Sequence, residues 1–266
     1  MTEVRLRDLE FEASEGELSS EDSSFTSDTM SSEDSSEGSS ETESSLEVMG
    51  VILGNPTLGD KGSKASLSEE RMEKMLAKDL TESEKEGYKD MLRNFSSLFI
   101  SNYEQISGVT VVQHHINLKT GNKPVAQKLR RMGTVQQEAL LLEVKKLLQV
   151  GFTNPVEDSK WVSPVVVTPK KNGKWRVCVD YKPLNAATKR DHFPLPFQDE
   201  ILNEVEGYER YTMCDGYSGY FQISIAEEDQ KKTTFITPWG CFAYKVMPFG
   251  LTNAPATFQR FMNHVF

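Results

Sequence analysis

Two groups of residues in this sequence have types and spacings suited to phosphate chemistry. The first is Pro169-Lys170-Lys171-Asn172-Gly173-Lys174-Trp175-Arg176. Asn-Gly signals a two-residue type I′ hairpin turn, since both of its positions need positive φ. That turn predicts Lys171 directly opposite Lys174, and the strand period of two puts Arg176 on the face of Lys174. Like charges directly opposed on a sheet repel. The arrangement therefore suits a place where an anion bridges the cations, or one where solvent screens them. A triphosphate clamp, with Arg176 as a two-pronged fork, is one reading; a solvated hairpin tip is the other.

The second group centres on Asp215, which ends the uncharged run Tyr211-Thr212-Met213-Cys214 and precedes Gly216-Tyr217-Ser218-Gly219-Tyr220. A carboxylate leaving a strand at a glycine-bounded turn suits Mg²⁺, a hard cation that shares one or two carboxylates with substrate phosphates. Taken singly, the same Asp also reads as a turn former or helix cap. A two-metal site needs at least one more carboxylate converging on it. Asp180 is open to a structural or a functional role. His114 and His115 alternate faces of a strand and have no His or Cys at ligand spacing, so they read as structural. Glu227, Glu228 and Asp229 read as a helix start complementing the helix dipole. Trp161, Trp175 and Trp239 read as packing residues.

The elements that must carry these groups follow from pattern. Thr81-x-x-Glu84 is a capping box ahead of Tyr88, Met91, Leu92, Phe95, Leu98 and Phe99, spaced as one helix face. Residues 109–118 predict a strand, and Thr120 to Pro124 a turn. Thr134-x-x-Gln137 is a second capping box, followed by Leu140, Val144, Leu147 and Leu148 on one face, with Gly151 as the stop. Strands are predicted over 162–168 and 174–179, a short helix over 201–206, and a strand over 211–215. A hairpin follows, with strands 233–237 and 241–247 around Pro238-Trp239-Gly240. Asn253 is placed to cap a last helix, with Pro255 in its first turn and Phe258, Phe261, Met262 and Val265 on one face. The fold class is α+β.

Composition divides the chain. Of 40 acidic residues, 15 lie in residues 1–50 against two arginines, which leaves 25 acidic and 28 basic residues beyond. The net charge of −10 therefore belongs to the N-terminal segment, and the acidic pI does not exclude a nucleic-acid partner. Residues 12–45 are nearly all Ser, Glu, Asp, Gly and Thr. They hold too little apolar surface to offset the entropy of ordering, so residues 1–64 are expected to be disordered. A helix-and-strand lead-in then spans 65–121, and the main domain 122–266. Cys178, Cys214 and Cys241 show no metal or disulfide spacing and read as reduced thiols. No apolar run approaches the ~18–20 residues that span a bilayer, and the N-terminus is no secretory signal. An intracellular chain without a membrane partner is expected.

Five blocks make the resemblance. Val177-Cys178-Val179-Asp180-Tyr181-Lys182-Pro183-Leu184-Asn185 resembles the fingers motif of reverse transcriptases from gypsy-type LTR retrotransposons. Phe193-Pro194-Leu195-Pro196 is similar to the lead into their palm. Asp215 to Gln222 resembles the palm strand bearing the first catalytic aspartate. Lys232 to Gly240 and Met247 to Gln259 are similar to two further motifs, all in family order and spacing from about Val112 to Phe266. The resemblance implies right-hand polymerase fingers and an incomplete palm. It makes Asp215 a ligand of catalytic Mg²⁺, and Tyr220 the steric gate against a ribose 2′-OH. Ser218 and Gly219 would pass backbone near the incoming triphosphate. Lys171, Lys174 and Arg176 would grip its phosphates, with Lys170 a substitute for Lys171. Phe249 and Gly250 would line the nucleotide and template pocket.

The implied reaction is attack of a primer 3′-hydroxyl on the α-phosphorus of a dNTP, on an RNA or DNA template, assisted by two metals. The resemblance places the paired aspartates of a Tyr-x-Asp-Asp hairpin beyond Phe266, with the rest of the palm and the thumb. The chain is thus expected to be an N-terminal fragment of a Pol polyprotein, inactive alone and poorly soluble, located in cytoplasm, nucleus or a virus-like particle. The alternative is a non-catalytic retroelement remnant that works as a binding or interaction module. A viral RNA-templated polymerase fits Val-Cys-Val-Asp-Tyr and Met-Pro-Phe-Gly-Leu less well.

Overall fold

The structure, a computed structural model, describes residues 49–51 and 67–266 apart from 101, 172 and 210. The segment expected to be disordered over 1–64 lies outside the described residues, save for the backbone of Met49–Val51, which forms strand β1.

Ser68 caps helix α1 (Glu69–Met75), and the capping box at Thr81 opens α2 (Glu82–Asn94) as predicted. Thr81 N–H donates to Glu84 Oε2 at 2.8 Å while Glu84 N–H donates to Thr81 Oγ1 at 3.3 Å. Only part of the predicted apolar face is covered. Leu92 and Phe99 pack with Met72, whereas Tyr88, Met91 and Phe95 are exposed, because α1 covers less than the full width of the stripe.

Strand β2 (Val109–His114) runs parallel to β7 (Ile223–Ile225) and is shorter than the 109–118 predicted. It stops because its next backbone groups find other partners. Ile116 N–H donates to the Asp229 carboxylate at 2.7 Å, and Ala226 N–H donates to His114 O at 3.0 Å. Helix α3 spans Thr134–Gln149, and its cap sits one residue earlier than the sequence suggested, with only the glutamine half of a capping box. Gly133 is the cap, with its N–H on Gln136 Oε1 at 3.0 Å, while Gln137 donates instead to Met132 O. Gly151 closes the helix at φ 74°: its N–H reaches Leu148 O and the Phe152 N–H reaches Leu147 O, the paired bonds of a Schellman motif.

A five-stranded sheet lies beneath α3, in the order β3 (Thr153–Pro155), β9 (Gly240–Tyr244), β8 (Phe235–Thr237), β4 (Ser163–Pro169), β5 (Trp175–Val179). Pairings are antiparallel except for β4 with β8. The core gathers Leu140, Val144 and Leu147 of α3 with Val165, Phe235, Phe242, Met247 and Tyr181. It also takes Leu184 of helix α4 (Lys182–Ala187) and Phe261 of helix α7 (Ala254–Val265). Trp161 is buried, and Trp175 and Trp239 pack on the same core, in keeping with their reading as packing residues.

The remaining limb is thinner. Helix α5 (Gln198–Val205) starts earlier than the 201–206 predicted, because the Glu200 carboxylate caps Phe197 N–H. Strand β6 (Cys214–Gly216) overlaps the predicted 211–215 only at Cys214 and Asp215 and pairs in parallel with β1, Gly50 standing opposite Asp215. Short helix α6 (Glu227–Gln230) follows β7. The α+β class expected from sequence is the class observed.

Candidate functional site

The hairpin between β4 and β5 forms, but its turn differs from the type I′ reading. Lys170 N–H donates to Lys174 O at 2.7 Å and Gly173 N–H to Lys170 O at 3.1 Å, with Gly173 at φ 78°. Lys170 rather than Lys171 therefore stands across from Lys174. The cause is the register Pro169↔Trp175, Thr168↔Arg176, which leaves three residues beyond the Lys170–Lys174 pair. Strand parity puts Lys170, Lys174 and Arg176 on one face. Lys171 and Lys174 are exposed; Lys170 and Arg176 are half-buried.

The hairpin's base is pinned from outside. Arg130 reaches the Asp180 carboxylate at 2.5 Å, and the other Asp180 oxygen accepts Lys182 N–H at the start of α4. Asp180, open to either role in the sequence, thus serves as a strut.

Asp215 is exposed at the centre of β6. Partial burial pushes its carboxyl above the ordinary value, and the Gly216 N–H opposes that shift. An exposed carboxylate that accepts one backbone amide fits a hard cation as a single ligand. Among the described residues, the one three-membered group close enough to share a cation is His115, Glu228 and Asp229, which does not include Asp215.

The turn after β6 is unusual. Ser218 adopts φ 44°, ψ 49°, the one positive φ on a non-glycine among the described residues. A left-handed serine persists where surroundings over-determine it, and such strain concentrates at functional turns. Here Phe221 N–H bonds Ser218 O at 2.8 Å, and the buried Tyr103 hydroxyl hydrogen-bonds Ser218. Tyr103 is wedged between Phe152, Tyr217 and Phe221, with the Lys146 ammonium 4.0 Å from its ring.

Gly219 explains itself by contact: a Cβ there would come 2.7 Å from the Phe258 ring. That closeness lets Tyr220 lie tilted on Phe249, centroids 4.9 Å apart, with Phe258 edge-on at 5.3 Å. Gly250 takes φ 93°, with Tyr181 and Val179 O at 3.6 Å from where a Cβ would lie. Asn185 fixes this turn, donating to Gly250 O at 2.7 Å and accepting from Thr252 N–H at 2.9 Å.

Thus Tyr220 meets Phe249 and Phe258 beside Gly219, Gly250 packs instead on Tyr181 and Asn185, and Asp215 and the basic hairpin stand on separate elements. Sequence reading missed Phe258, Asn185 and Tyr103 as parts of this site. The paired glycines around Tyr-Ser hinted at a tight approach, but nothing in the sequence said which ring would fill it. Asn253 heads α7 without capping it. Its amide oxygen accepts Asp191 N–H and its NH₂ donates to Lys189 O, so it holds the loop before α5.

Comparisons with known proteins show what this chain is similar to. Residues 168–266 match the family model described as reverse transcriptase (RNA-dependent DNA polymerase). In three dimensions the chain resembles the Prototype Foamy Virus protease-reverse transcriptase. The TM-score is 0.65 at 24% identity, covering 73% of this chain and 26% of the other. The foamy viral protease-reverse transcriptase in complex with dsDNA gives a TM-score of 0.55 at 20% identity, covering 73% and 38%.

Among sequences, the retrovirus-related Pol polyprotein from transposon 297 of Drosophila melanogaster is 35% identical over 182 residues, 66% of this chain and 17% of that protein. The transposon Tf2-3 polyprotein of Schizosaccharomyces pombe is 37% identical over 132 residues, 49% of this chain and 10% of it. Residues 168–266 are thus similar to the reverse transcriptase family model, and the chain spans less than a fifth of the retrotransposon Pol polyproteins it matches. No helix among the described residues is long and apolar enough to cross a membrane.

Proposed function

We propose that this chain is the fingers and front of the palm of an RNA-directed DNA polymerase of a gypsy-type LTR retrotransposon. The observation that carries the reading is the strained Ser218 turn after Asp215, with Tyr220 braced between Phe249 and Phe258 inside the matched family segment.

Each residue then has a task. Lys170, Lys174 and Arg176, with Lys171 at the tip, attract and orient the dNTP triphosphate by charge and forked hydrogen bonds. Ser218 and Gly219 bring backbone close to it, since Gly219 has no side chain and Ser218 turns the chain left-handed. Tyr220, held by its two ring neighbours, presents a flat wall where a 2′-OH would project, rejecting ribose by shape. Phe249 and Gly250 line the base side of the pocket, and Asn185 keeps them in place. Asp215 offers one carboxylate oxygen as a Mg²⁺ ligand; Mg²⁺, when bound there, would neutralise phosphate charge. The protein's part is chiefly positioning and preorganised charge. The foamy viral protease-reverse transcriptase has been solved in complex with dsDNA and with RNA/DNA hybrid, and a template–primer duplex of that kind is the partner proposed for this chain.

A site with the Asp215 carboxylate alone holds too few ligands for two metals. The 266-residue chain by itself is therefore expected to show no RNA-templated primer extension. A chain extended by a palm segment that carries Tyr-x-Asp-Asp is expected to extend a primer, and Asp215→Asn to abolish this. An extended, folded chain that remains inert would sink the polymerase reading. Extension by the 266 residues alone, lost on Asp215→Asn, would overturn the one-carboxylate account.

A further inference from the structure

Away from the polymerase residues, the turn that ends β2 meets the first turn of α6. His115 Nδ1 stands 3.9 Å from Glu228 Oε1 and 3.7 Å from Asp229 Oδ2, and the three ligand atoms lie within 4.8 Å of one another. His115 and Glu228 are exposed, whereas Asp229 is buried. From these residues we infer a surface site for a first-row divalent metal, Zn²⁺ above all.

The donor set combines one imidazole nitrogen with two carboxylate oxygens and leaves a fourth position to water, a combination that Zn²⁺ accepts. Tetrahedral ligands on Zn²⁺ bonds of ~2.0–2.1 Å lie about 3.4 Å apart, so the 3.7 and 3.9 Å seen here need only a small closure. Glu228 and His115 have the freedom to make it.

Preorganisation separates this group from an ordinary acidic patch. Asp229 Oδ2 accepts Ile116 N–H at 2.7 Å, the residue directly after His115. Ala226 N–H holds His114 O at 3.0 Å, the residue directly before it. Lys232 closes the frame, bonding both Asp229 Oδ1 and Ile116 O. The imidazole-bearing turn and the carboxylate-bearing turn are thus stapled together whether or not a metal is present. Such outer-shell bonds orient first-shell ligands.

Lys232 is the natural competitor, yet it engages Oδ1, and the oxygen that faces His115 is Oδ2. A carboxylate has about four lone-pair sites, so Oδ2 keeps one after accepting Ile116 N–H. A bound ion would lock β2 to α6 across the end of the β2–β7 ladder. The inference is independent of the polymerase reading, because none of its ligands serves nucleotide or template.

Co²⁺ titration of the 266-residue chain tests it, read by visible absorption and followed by displacement with Zn²⁺. One equivalent with a tetrahedral d–d spectrum is expected. His115→Ala and Glu228→Gln should each weaken binding by at least about tenfold, the loss that removal of even an outer-shell partner produces. Both positions are exposed, so circular dichroism should confirm that both variants fold. Asp229→Asn is avoided because it also strips Lys232 and Ile116 of a partner. An octahedral spectrum, absence of saturable binding, or equal affinity in His115→Ala, which would mean adventitious uptake at other histidines, would each overturn the site.

Discussion

The five-stranded sheet with α3 and the limb running from Phe193 through α5 to β6 are neighbours in sequence but opposites in packing. In the sheet region Leu140, Leu184, Met247 and Phe261 are fully buried. In the limb Phe197, Tyr208 and Met213 stand 72%, 69% and 74% exposed, with Leu195, Ile201, Leu202 and Tyr211 about half so. The two regions have similar apolar content, so burial here is set by whether a second layer covers the element. The limb's stripe resembles surface that marks an interaction site or an aggregation hazard. Asp215 lies at the end of this uncovered limb, whereas Tyr220 and Phe249 belong to the covered region.

The sharpest test of that contrast is a pair of truncations. Phe261→Ala should cost about 3–5 kcal/mol in urea unfolding, the usual cost of emptying a filled aromatic position. A cost under about 1 kcal/mol would mean that the core around α7 is loosely packed.

The next effect is pH-dependent. Burial lowers the His114 imidazole from 6.5 to about 4 while its Nδ1 stays 2.9 Å from Thr257 Oγ1. Between those values the unfolded chain binds more proton than the fold. Stability is therefore full above pH 6.5 and falls as pH drops toward 4, by roughly 3 kcal/mol. Denaturant unfolding across this range should show the slope, and His114→Asn should flatten it. An unchanged slope in that variant would place the proton uptake elsewhere. Gly151→Ala, at φ 74°, should cost about 1 kcal/mol by chemical denaturation. A neutral result would show that the Schellman turn relaxes.

Smallest is Phe197→Ala in the limb, expected within about 0.5 kcal/mol of the parent. If it matched Phe261→Ala, the limb would be covered in solution and the contrast would dissolve.

Much of the covered region was legible because periodicity and punctuation agree there. Leu140, Val144 and Leu147 fall on one face, Gly151 ends the helix, and the β4–β5 strands flank their turn. The misreadings came from side chains choosing among near-equal partners. Gln136 took the cap that Gln137 was assigned, Asn253 tied a loop instead of a helix end, and one added loop residue exchanged Lys170 for Lys171. Asp229 read as an acid complementing a helix dipole, yet it is buried against Ile116, just beyond β2 and 113 residues away. The candidate site was legible as motifs. Its support was not, since Phe258 and Asn185 act through contacts that no local pattern encodes.

Asn185 carries a consequence of its own. Its amide receives Thr252 N–H and gives to Gly250 O, so a single side chain stands in for a peptide group of an adjacent strand. The turn bearing Phe249 is thereby welded to helix α4, across 67 residues of sequence. Local opening of either segment should carry the other with it, so their amides are expected to exchange with deuterium as one cooperative unit. Slow hydrolysis of the Asn185 amide to a carboxylate would set like against like at Gly250 O, and the weld would fail with the age of the molecule rather than with its sequence.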